Sequence, residues 1–222
     1  MIVSTLLGKE SAIRHGFSEQ QDTPTRAFQL KQVHSNLVHC IRDPLKGDGV
    51  SNIEKDAVMT ACQGVCIAVR TADCLPILIF DPEKKVVAAV HAGWLGTTRD
   101  IAIHAVEALK KEYQCRSETL LVALGPCIQE ECCEVGDDVF QAFAGPVSEK
   151  SQFLLPSRSR QSQNKWHLDL PRANVVQLQK AGVLLKNIDV ISRCTYCEPR
   201  HFYSYRREKE EAGRQLSFIE LI

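Results

Sequence analysis

The feature that most constrains the fold is a pair of apolar runs in the middle of the chain, LPILIFD and VVAAV, which are joined by the turn sequence PEKK. Short apolar runs bounded by turn residues are typical of buried strands, and a tight turn makes two such strands antiparallel neighbours. Runs without polar alternation indicate a sheet that is covered on both faces. We therefore predict a β-hairpin at the centre of the fold.

Helix and strand patterns are intermixed along the chain. The segment RDIAIHAVEALKKEY has apolar residues at three- and four-residue spacing, which predicts an amphipathic helix. In DLPRANVVQLQKAG, Asp169 is a predicted helix cap and Gly182 a predicted helix end. TLLVALG, NIDVIS and LSFIELI are predicted strands, whereas the polar residues 146–165 predict an exposed loop. Without a clear linker or repeat, the pattern predicts one mixed α/β domain over residues 1–222.

Charge and composition exclude several classes of partner. The 27 basic and 27 acidic residues cancel, so no net positive charge recruits nucleic acid or an anionic bilayer. No run reaches the roughly 20 apolar residues of a membrane helix, and the first residues lack the pattern of a signal peptide. We therefore expect a cytoplasmic protein that binds neither nucleic acid nor membrane. The sequence does not predict the oligomeric state.

Three potential metal ligands lie next to predicted strands. Cys74 precedes the first hairpin strand, His91 follows the second, and His34 ends the strand-like run FQLKQVH. Because the two ends of an antiparallel hairpin are neighbours, Cys74 and His91 are expected to lie close together, and His34 can join them from a neighbouring strand. Two imidazoles and one thiolate suit zinc, and three protein ligands leave a fourth position for water or substrate. This pattern predicts a catalytic metal site.

The ten cysteines also allow a competing metal site. Cys62 and Cys66 together with Cys194 and Cys197 have a spacing close to that of a zinc ribbon. Without a secretory signal, the other cysteines are expected to be buried thiols rather than disulfide partners.

Two further segments are candidate binding elements. AGWLGTT has two glycines before a predicted helix start, where backbone N–H groups can hold an anion, and Trp94 in this segment could stack on a flat aromatic substrate. Near the end of the chain, Arg206, Arg207 and Arg214 form a basic group that matches phosphate or carboxylate. An ordinary turn, a packed tryptophan and a solvated basic face are the structural alternatives.

Seven segments occur in the order found in one family. From about Gln29 to the end of the chain, these segments are KQVH, RTADCLPIL, HAGW, LGPCI, EVGDDVF, CTYCEPRHFYSYRR and GRQ. With these motifs the sequence resembles the YfiH-like laccase-domain family, whose members were first called multicopper polyphenol oxidases and are now regarded as purine nucleoside phosphorylases with adenosine deaminase activity.

This resemblance implies a fold, an activity and a set of site residues. The implied fold is a layered α/β/β/α sandwich, and the implied substrates are purine nucleosides (adenosine, inosine, guanosine or methylthioadenosine) and phosphate. The histidine of KQVH, the cysteine of TADC and the histidine of HAGW correspond to His34, Cys74 and His91 as zinc ligands. Asp73 is a candidate general acid or supporting group for deamination.

For phosphorolysis, we expect Arg70 or Arg206 to bind phosphate. The chain departs from the family pattern at two positions. Leu95 stands where the family has arginine after HAGW, and Ser35 stands where the family has glycine after KQVH. Because leucine cannot form the charge-assisted hydrogen bonds of arginine, we expect phosphorolysis to be weaker than deamination, and Leu95→Arg to increase it.

Three other functions remain open at this point. Two histidines and a cysteine also describe a copper centre, although only Met1 and Met59 could supply the usual weak axial methionine. In a cysteine hydrolase or amidase, Cys74 would be the nucleophile and His91 its base. The third alternative is a binding module that zinc stabilises without catalysis.

Overall fold

The computed structural model describes residues 1–22, 26–47, 49–157 and 164–222. Within these ranges the secondary structure before Trp94 consists of strands and short 3-10 helices, whereas α-helices and strands are intermixed from Trp94 onwards. The strands are β1 (Ile13–Phe17), β2 (Phe28–Lys31), β3 (Val38–Ile41), β4 (Val50–Glu54), β5 (Ala57–Thr60), β6 (Ile67–Thr71), β7 (Leu75–Asp81), β8 (Val86–Ala92), β9 (Leu121–Leu124), β10 (Glu134–Gly136), β11 (Leu154–Pro156), β12 (Lys165–Leu168), β13 (Ile188–Val190) and β14 (Gln215–Leu221). The helices are α1 (Trp94–Thr98), α2 (Ile101–Tyr113), α3 (Asp137–Ala142), α4 (Val147–Lys150), α5 (Leu170–Lys180) and α6 (Tyr205–Glu208).

The strands form two large sheets and one small sheet. One large sheet has the order β1-β14-β6-β2-β4, and the other has the order β13-β9-β7-β8-β5-β3. The small sheet has the order β10-β12-β11. A buried cluster joins the two large sheets, because Leu78, Phe80 and Val87 of the six-stranded sheet pack with Ile67 and Ile219 of the five-stranded sheet. The two sheets are therefore stacked face to face.

The predicted central hairpin is confirmed. β7 and β8 pair in antiparallel register from Leu75 opposite Ala92 to Asp81 opposite Val86, and every residue of both strands is buried. The turn between them contains Lys85 in a left-handed conformation with φ 53°. Since both faces of these strands are covered, neither face needs polar residues, which explains the continuous apolar sequence.

Two helices cover the outer face of the six-stranded sheet. Residues of α2 and α5, such as Val106 and Leu178, pack in one cluster with Ile77, Ile79 and Val90 of the hairpin. On the far face of the five-stranded sheet lies a small buried cluster of Ala27, Cys66, Ala68, Leu216 and Phe218. The predicted mixed α/β class with a single domain is confirmed, and helices and two stacked sheets form its layers.

The predicted cap of α5 is also confirmed, and the predicted loop before it is partly wrong. The Asp169 carboxylate accepts a hydrogen bond from the backbone N–H of Arg172 at 2.8 Å. Within residues 146–165, however, α4 and β11 form, and β11 pairs with β12. The central residues 158–163 of that segment lie outside the described residues.

In the part of the chain that the structure describes, none of the helices has the length and apolar character needed to cross a bilayer.

The strand order brings several strand ends to one edge of the molecule. β2 and β6 are parallel neighbours, so the residues that follow both strands lie close together. The same edge includes the start of β7 and the end of β8, which are paired. His34 follows β2, and Asp73 and Cys74 follow β6. His91 is the penultimate residue of β8.

Candidate active site

The structure brings His34, Cys74 and His91 together. One potential ligand atom from each residue lies within 4.8 Å of the other two. The Cys74 sulfur is 3.9 Å from Nε2 of His34, and the two imidazole rings have centroids 4.9 Å apart. His91 is buried, Cys74 is half-buried and His34 is exposed, so the group has one open side. This arrangement fits the three-ligand metal site that the sequence predicts.

A buried carboxylate, that of Asp56, positions both histidines. Its oxygens accept a hydrogen bond from Nδ1 of His91 at 2.8 Å and from the backbone N–H groups of Val33, His34 and Ser35 at 3.2, 2.9 and 2.7 Å. The hydroxyl of Ser35 donates to the same carboxylate at 2.7 Å. With Nδ1 of His91 engaged in this way, Nε2 is left to bind a metal.

This hydrogen-bond network also explains the unusual backbone at His34. His34 has φ 58°, in the left-handed region that residues other than glycine rarely adopt. The three consecutive N–H groups that converge on Asp56 hold the backbone in this conformation. Ser35, which departs from the family pattern, adds a side-chain hydrogen bond to the network rather than disturbing it.

Gly93 provides the space in which the ligands meet. A Cβ atom at this position would lie 2.9 Å from the Cys74 sulfur and 2.9 Å from Cδ2 of His34. Any other residue would therefore push against two of the three potential ligands. The small concave site that glycine leaves, together with the donor set of two imidazoles and a thiol, fits a metal ion bound at this point.

The charges of the site stabilise a thiolate beside a protonated imidazole. Burial raises the pKa of the Cys74 thiol, but the charge of His91 and the hydrogen bond with His34 have a larger, opposite effect. The resulting pKa is about 6. Burial lowers the pKa of His91, but the Cys74 thiolate and the hydrogen bond to Asp56 raise it to about 9. A thiolate is the form in which cysteine binds metal or attacks an electrophile.

Asp73, the predicted acid, is held by three donors. Its carboxylate accepts hydrogen bonds from the hydroxyls of Thr195 and Ser204 at 2.7 and 3.0 Å and from the backbone N–H of Arg206 at 2.6 Å. Its backbone oxygen accepts from the N–H of Ile128 at 3.0 Å. Asp73 therefore joins the segment after Cys194 to the site, and both of its carboxylate oxygens are occupied.

A cavity of about 1020 Å³ opens onto the three ligands. Its walls include the two arginines that the sequence predicts to bind phosphate, Arg70 and Arg206, together with Arg214. Trp94, which is 39% exposed, also lines it. Three acidic residues share the walls, namely Asp73, Glu134 and Asp138. The cavity therefore combines an aromatic surface and several cations with the candidate metal ligands.

Two residues singled out in the sequence lie elsewhere. Leu95 is half-buried and is not among the residues that line the cavity, so the structure gives no support to a phosphate contact at position 95. Arg207 donates hydrogen bonds to the backbone oxygens of Thr195, Tyr196 and Phe202, at 2.9, 2.7 and 2.7 Å. Its guanidinium group supports the backbone rather than facing the cavity.

The competing pairing of Cys62 and Cys66 with Cys194 and Cys197 is wrong. Cys66 is buried on the far face of the five-stranded sheet, and the Cys62 thiol points to the backbone oxygen of Ile41 at 3.9 Å. Cys194 and Cys197 instead lie beside Cys132. Which cysteines meet is decided by the tertiary structure, which spacing along the sequence does not reveal.

Comparison with known proteins identifies the family. The family described as multi-copper polyphenol oxidoreductase laccase matches residues 11–222 of the chain. The chain belongs to this laccase family. Among its relatives, a protein of Bacteroides thetaiotaomicron named purine nucleoside phosphorylase is 35% identical over 166 residues, which are 74% of this chain and 60% of that protein. The chain thus spans less than two thirds of the length of that relative.

Two further comparisons support the same family. Adenosine deaminase RL5, from an unknown prokaryotic organism, is 35% identical over 194 residues, which cover 85% of this chain and 72% of that protein. The crystal structure of the Bacillus licheniformis protein YfiH superposes with a TM-score of 0.80 at 28% identity and covers 88% of this chain and 74% of the other. The fold is therefore that of the laccase family.

Asp56, on which two potential ligands depend, is not among the residues that the sequence motifs predict. The sequence contains one indication of its role. Asp56 directly precedes the apolar strand sequence AVMT, and aspartate is disfavoured next to a buried strand unless its charge has a partner. Glu134 lines the cavity as well, although it does not lie next to a predicted ligand in the sequence.

We predict that Asp56→Asn weakens metal binding by about 10- to 100-fold, because the amide cannot accept all five hydrogen bonds and no longer fixes His91. Competition with a chromophoric chelator measures the affinity. Asp81→Asn is the matched control, since Asp81 is equally buried but caps the turn at the other end of the hairpin. Equal metal affinity of the two variants would contradict the role of Asp56.

We also predict that Gly93→Ala lowers metal affinity on the order of tenfold, because the added methyl group displaces Cys74 and His34. The same chelator titration measures the effect. Gly8→Ala is the control, since its Cβ would make only an ordinary contact of 3.4 Å with Val3. If Gly93→Ala binds metal as tightly as Gly8→Ala, the ligands are not packed against Gly93.

Proposed function

We propose that this chain is a zinc-dependent purine nucleoside phosphorylase that also deaminates adenosine. The observation that carries the proposal is the convergence of His34, Cys74 and His91 at the base of a cavity lined by Arg70, Arg206 and Trp94. Relatives named purine nucleoside phosphorylase and adenosine deaminase RL5 support the substrate class. Purine nucleosides and phosphate are therefore the proposed substrates.

The donor set favours zinc as the metal. Two imidazoles and one thiolate are suitable ligands, and a Lewis acid with one open coordination position would polarise a water molecule or a substrate oxygen at neutral pH. A blue-copper centre would also use His34, Cys74 and His91, but it normally adds an axial methionine. Met59 is buried in β5, and no methionine is among the described residues that line the cavity.

Trp94 and the size of the cavity support a nucleoside as the ligand. Ligand cavities commonly measure about 300–1,000 Å³, so this cavity of about 1020 Å³ has room for a purine, a ribose and a phosphate. An exposed tryptophan on the wall offers a flat apolar surface on which a purine can stack. We propose that Trp94 binds the base and so orients it towards the three ligands.

The cations of the cavity are the proposed phosphate ligands. The guanidinium group of Arg70 makes no hydrogen bond or ion pair with another of the described residues, so it is available to an anion. Arg206 donates from Nη1 to the backbone oxygen of Cys132 at 3.3 Å, which directs it along the cavity wall. A guanidinium group can donate two parallel hydrogen bonds to two phosphate oxygens. It also stabilises the negative charge of the phosphate as the phosphate approaches the sugar.

Proton transfer to the leaving ammonia needs a free acidic group in the same cavity. Asp73 is adjacent to Cys74, but its two oxygens already accept three hydrogen bonds. We therefore propose that Asp73 positions the site, and that Glu134 or Asp138, whose carboxyl groups also line the cavity, carries the proton.

One observation favours a second function, that of a cysteine hydrolase or amidase. Cys74, His91 and Asp56 have the order of contacts of a Cys–His–Asp triad, in which a carboxylate orients the imidazole beside the thiol. Such a triad needs only one imidazole at the thiol. His34, which lies on the open side of Cys74 at 3.9 Å, has a ready role in metal binding and none in the triad.

A cytoplasmic location is part of the proposal. All ten cysteines of the chain lie within the described residues and are free, as expected in a reducing compartment. That the protein binds neither nucleic acid nor membrane remains a prediction from the sequence.

We expect the purified protein to convert adenosine to inosine without phosphate, and to release free base and ribose 1-phosphate when phosphate is added. Chromatography of the products measures both reactions. Cys74→Ala should abolish them together with metal binding at this site, because one of the three ligands is lost. Cys62→Ser, which changes a half-buried cysteine outside the cavity, is the matched control.

Chelation and alkylation separate the two enzyme functions in the same samples. As a zinc ligand, Cys74 should resist alkylation until the metal is removed, and activity should be lost on chelation. A Cys74 that reacts readily in the metal-loaded protein, with turnover that persists after chelation, would favour the hydrolase. Metal binding without turnover of either substrate class would leave only the zinc-stabilised binding module.

For phosphate, we predict that Arg70→Ala raises the KM for phosphate about tenfold, since a hydrogen bond to a charged group contributes about 1.5–3 kcal/mol. Initial rates across a phosphate titration measure the change. Arg116→Ala is the control, because Arg116 is an exposed arginine paired with Glu83, away from the cavity. Leu95→Arg should behave like this control, and a lower KM for phosphate in Leu95→Arg would show that position 95 reaches the site.

A further inference from the structure

A second group of thiols lies outside the site described above. The sulfur atoms of Cys132, Cys194 and Cys197 all lie within 4.8 Å of one another, and those of Cys132 and Cys197 are 3.3 Å apart. Cys132 ends the short 3-10 helix Glu130–Cys132, whereas Cys194 and Cys197 belong to a turn more than 60 residues later. Two separate segments of the chain therefore present their thiols to one point.

We propose that these three cysteines bind a second zinc ion. Zinc–sulfur bonds of about 2.3 Å with tetrahedral angles place two zinc-bound sulfurs roughly 3.8 Å apart. In this group the Cys132 and Cys197 sulfurs are 3.3 Å apart, and all three sulfurs lie within 4.8 Å of one another, so the distances suit one ion. The spacing Cys194-x-x-Cys197 is that of half of a structural zinc site, and Cys132 supplies a third thiolate. Each thiol releases its proton to solvent on binding, and water completes the coordination.

The turn that carries the two cysteines is held in place by other contacts. The N–H of Glu198 donates to the backbone oxygen of Cys194 at 3.2 Å, and the guanidinium group of Arg207 donates to the backbone oxygens of Thr195 and Tyr196. Cys194 also forms a β-bridge with Cys127, on the segment that leads to Cys132. These backbone contacts therefore hold the two segments close together, which reduces the cost of ordering the thiols when an ion binds.

A disulfide is the alternative for a close pair of cysteines, and the third thiol argues against it. A bond between Cys132 and Cys197 would shorten their separation to about 2.05 Å and leave Cys194 without a partner. Zinc uses all three sulfurs.

The position of this second site links it to the cavity. Cys133, which follows Cys132, lines the cavity, and Arg206 of the cavity wall donates to the backbone oxygen of Cys132 at 3.3 Å. Thr195, between the other two ligands, donates to Asp73. An ion at this point would hold two segments of the cavity wall together.

Zinc analysis of the whole protein and three variants tests the proposal. We expect about two zinc ions per chain in the unchanged protein and in Cys62→Ser, and about one in Cys197→Ser and in Cys74→Ala. Cys197 is exposed, so Cys197→Ser should fold normally, which circular dichroism checks. Cys197→Ser that keeps all the zinc of the unchanged protein would overturn the second site.

Two measurements separate this result from the first site and from a disulfide. If Cys74→Ala loses no zinc while Cys197→Ser loses one ion, the second site stands and the His34–Cys74–His91 site fails. In the zinc-loaded protein, exposed Cys197 should resist alkylation and become reactive after chelation. A Cys132–Cys197 disulfide in a non-reducing peptide map of freshly purified protein, with no zinc lost on Cys197→Ser, would replace the proposal.

Discussion

The interaction on which the rest of the site depends is the buried carboxylate of Asp56. It fixes the ring of His91 by a hydrogen bond to Nδ1, and it holds the backbone of His34 in a left-handed conformation through consecutive N–H groups. An unpaired carboxylate in this interior would be strongly unfavourable, but five donors compensate its charge, and its pKa is lowered to about 2 despite burial. The stability of this contact and the geometry of the potential ligands are therefore linked.

The central hairpin supplies the rigid part of the site. Because β7 and β8 are buried on both faces, the end of the hairpin is held by the core, and Cys74 and His91 start from fixed positions. His34 lies outside the sheet and is exposed, so its position depends on the hydrogen bonds that the Asp56 carboxylate accepts from the backbone around it. Because Gly93 has no side chain, His34 can approach Cys74. The site therefore combines two potential ligands that are held by the core with a third that is held by hydrogen bonds.

Asp73 connects the two groups of potential metal ligands. It lies next to Cys74 in the sequence, and its carboxylate binds Thr195, which stands between Cys194 and Cys197. A single side chain therefore joins the segment of Cys74 to the segment that carries Cys194 and Cys197. These hydrogen bonds are the reason for the proposal that Asp73 positions the site rather than transfers a proton.

Local sequence patterns were sufficient to predict the central hairpin, the cap of α5 and the residues near the ends of strands. The apolar runs of β7 and β8, the turn between them and the cap at Asp169 are local patterns, and they predict their elements correctly because burial and capping act over a few residues. The motifs around His34, Cys74 and His91 resemble those of the family, so these three residues could be predicted to lie together as potential metal ligands. Only the tertiary structure brought Asp56 under the histidines and placed Cys132, rather than Cys62 and Cys66, beside Cys194 and Cys197. Those contacts join residues that are distant in sequence, and which distant residues meet is decided by sheet order and packing, which no local pattern encodes.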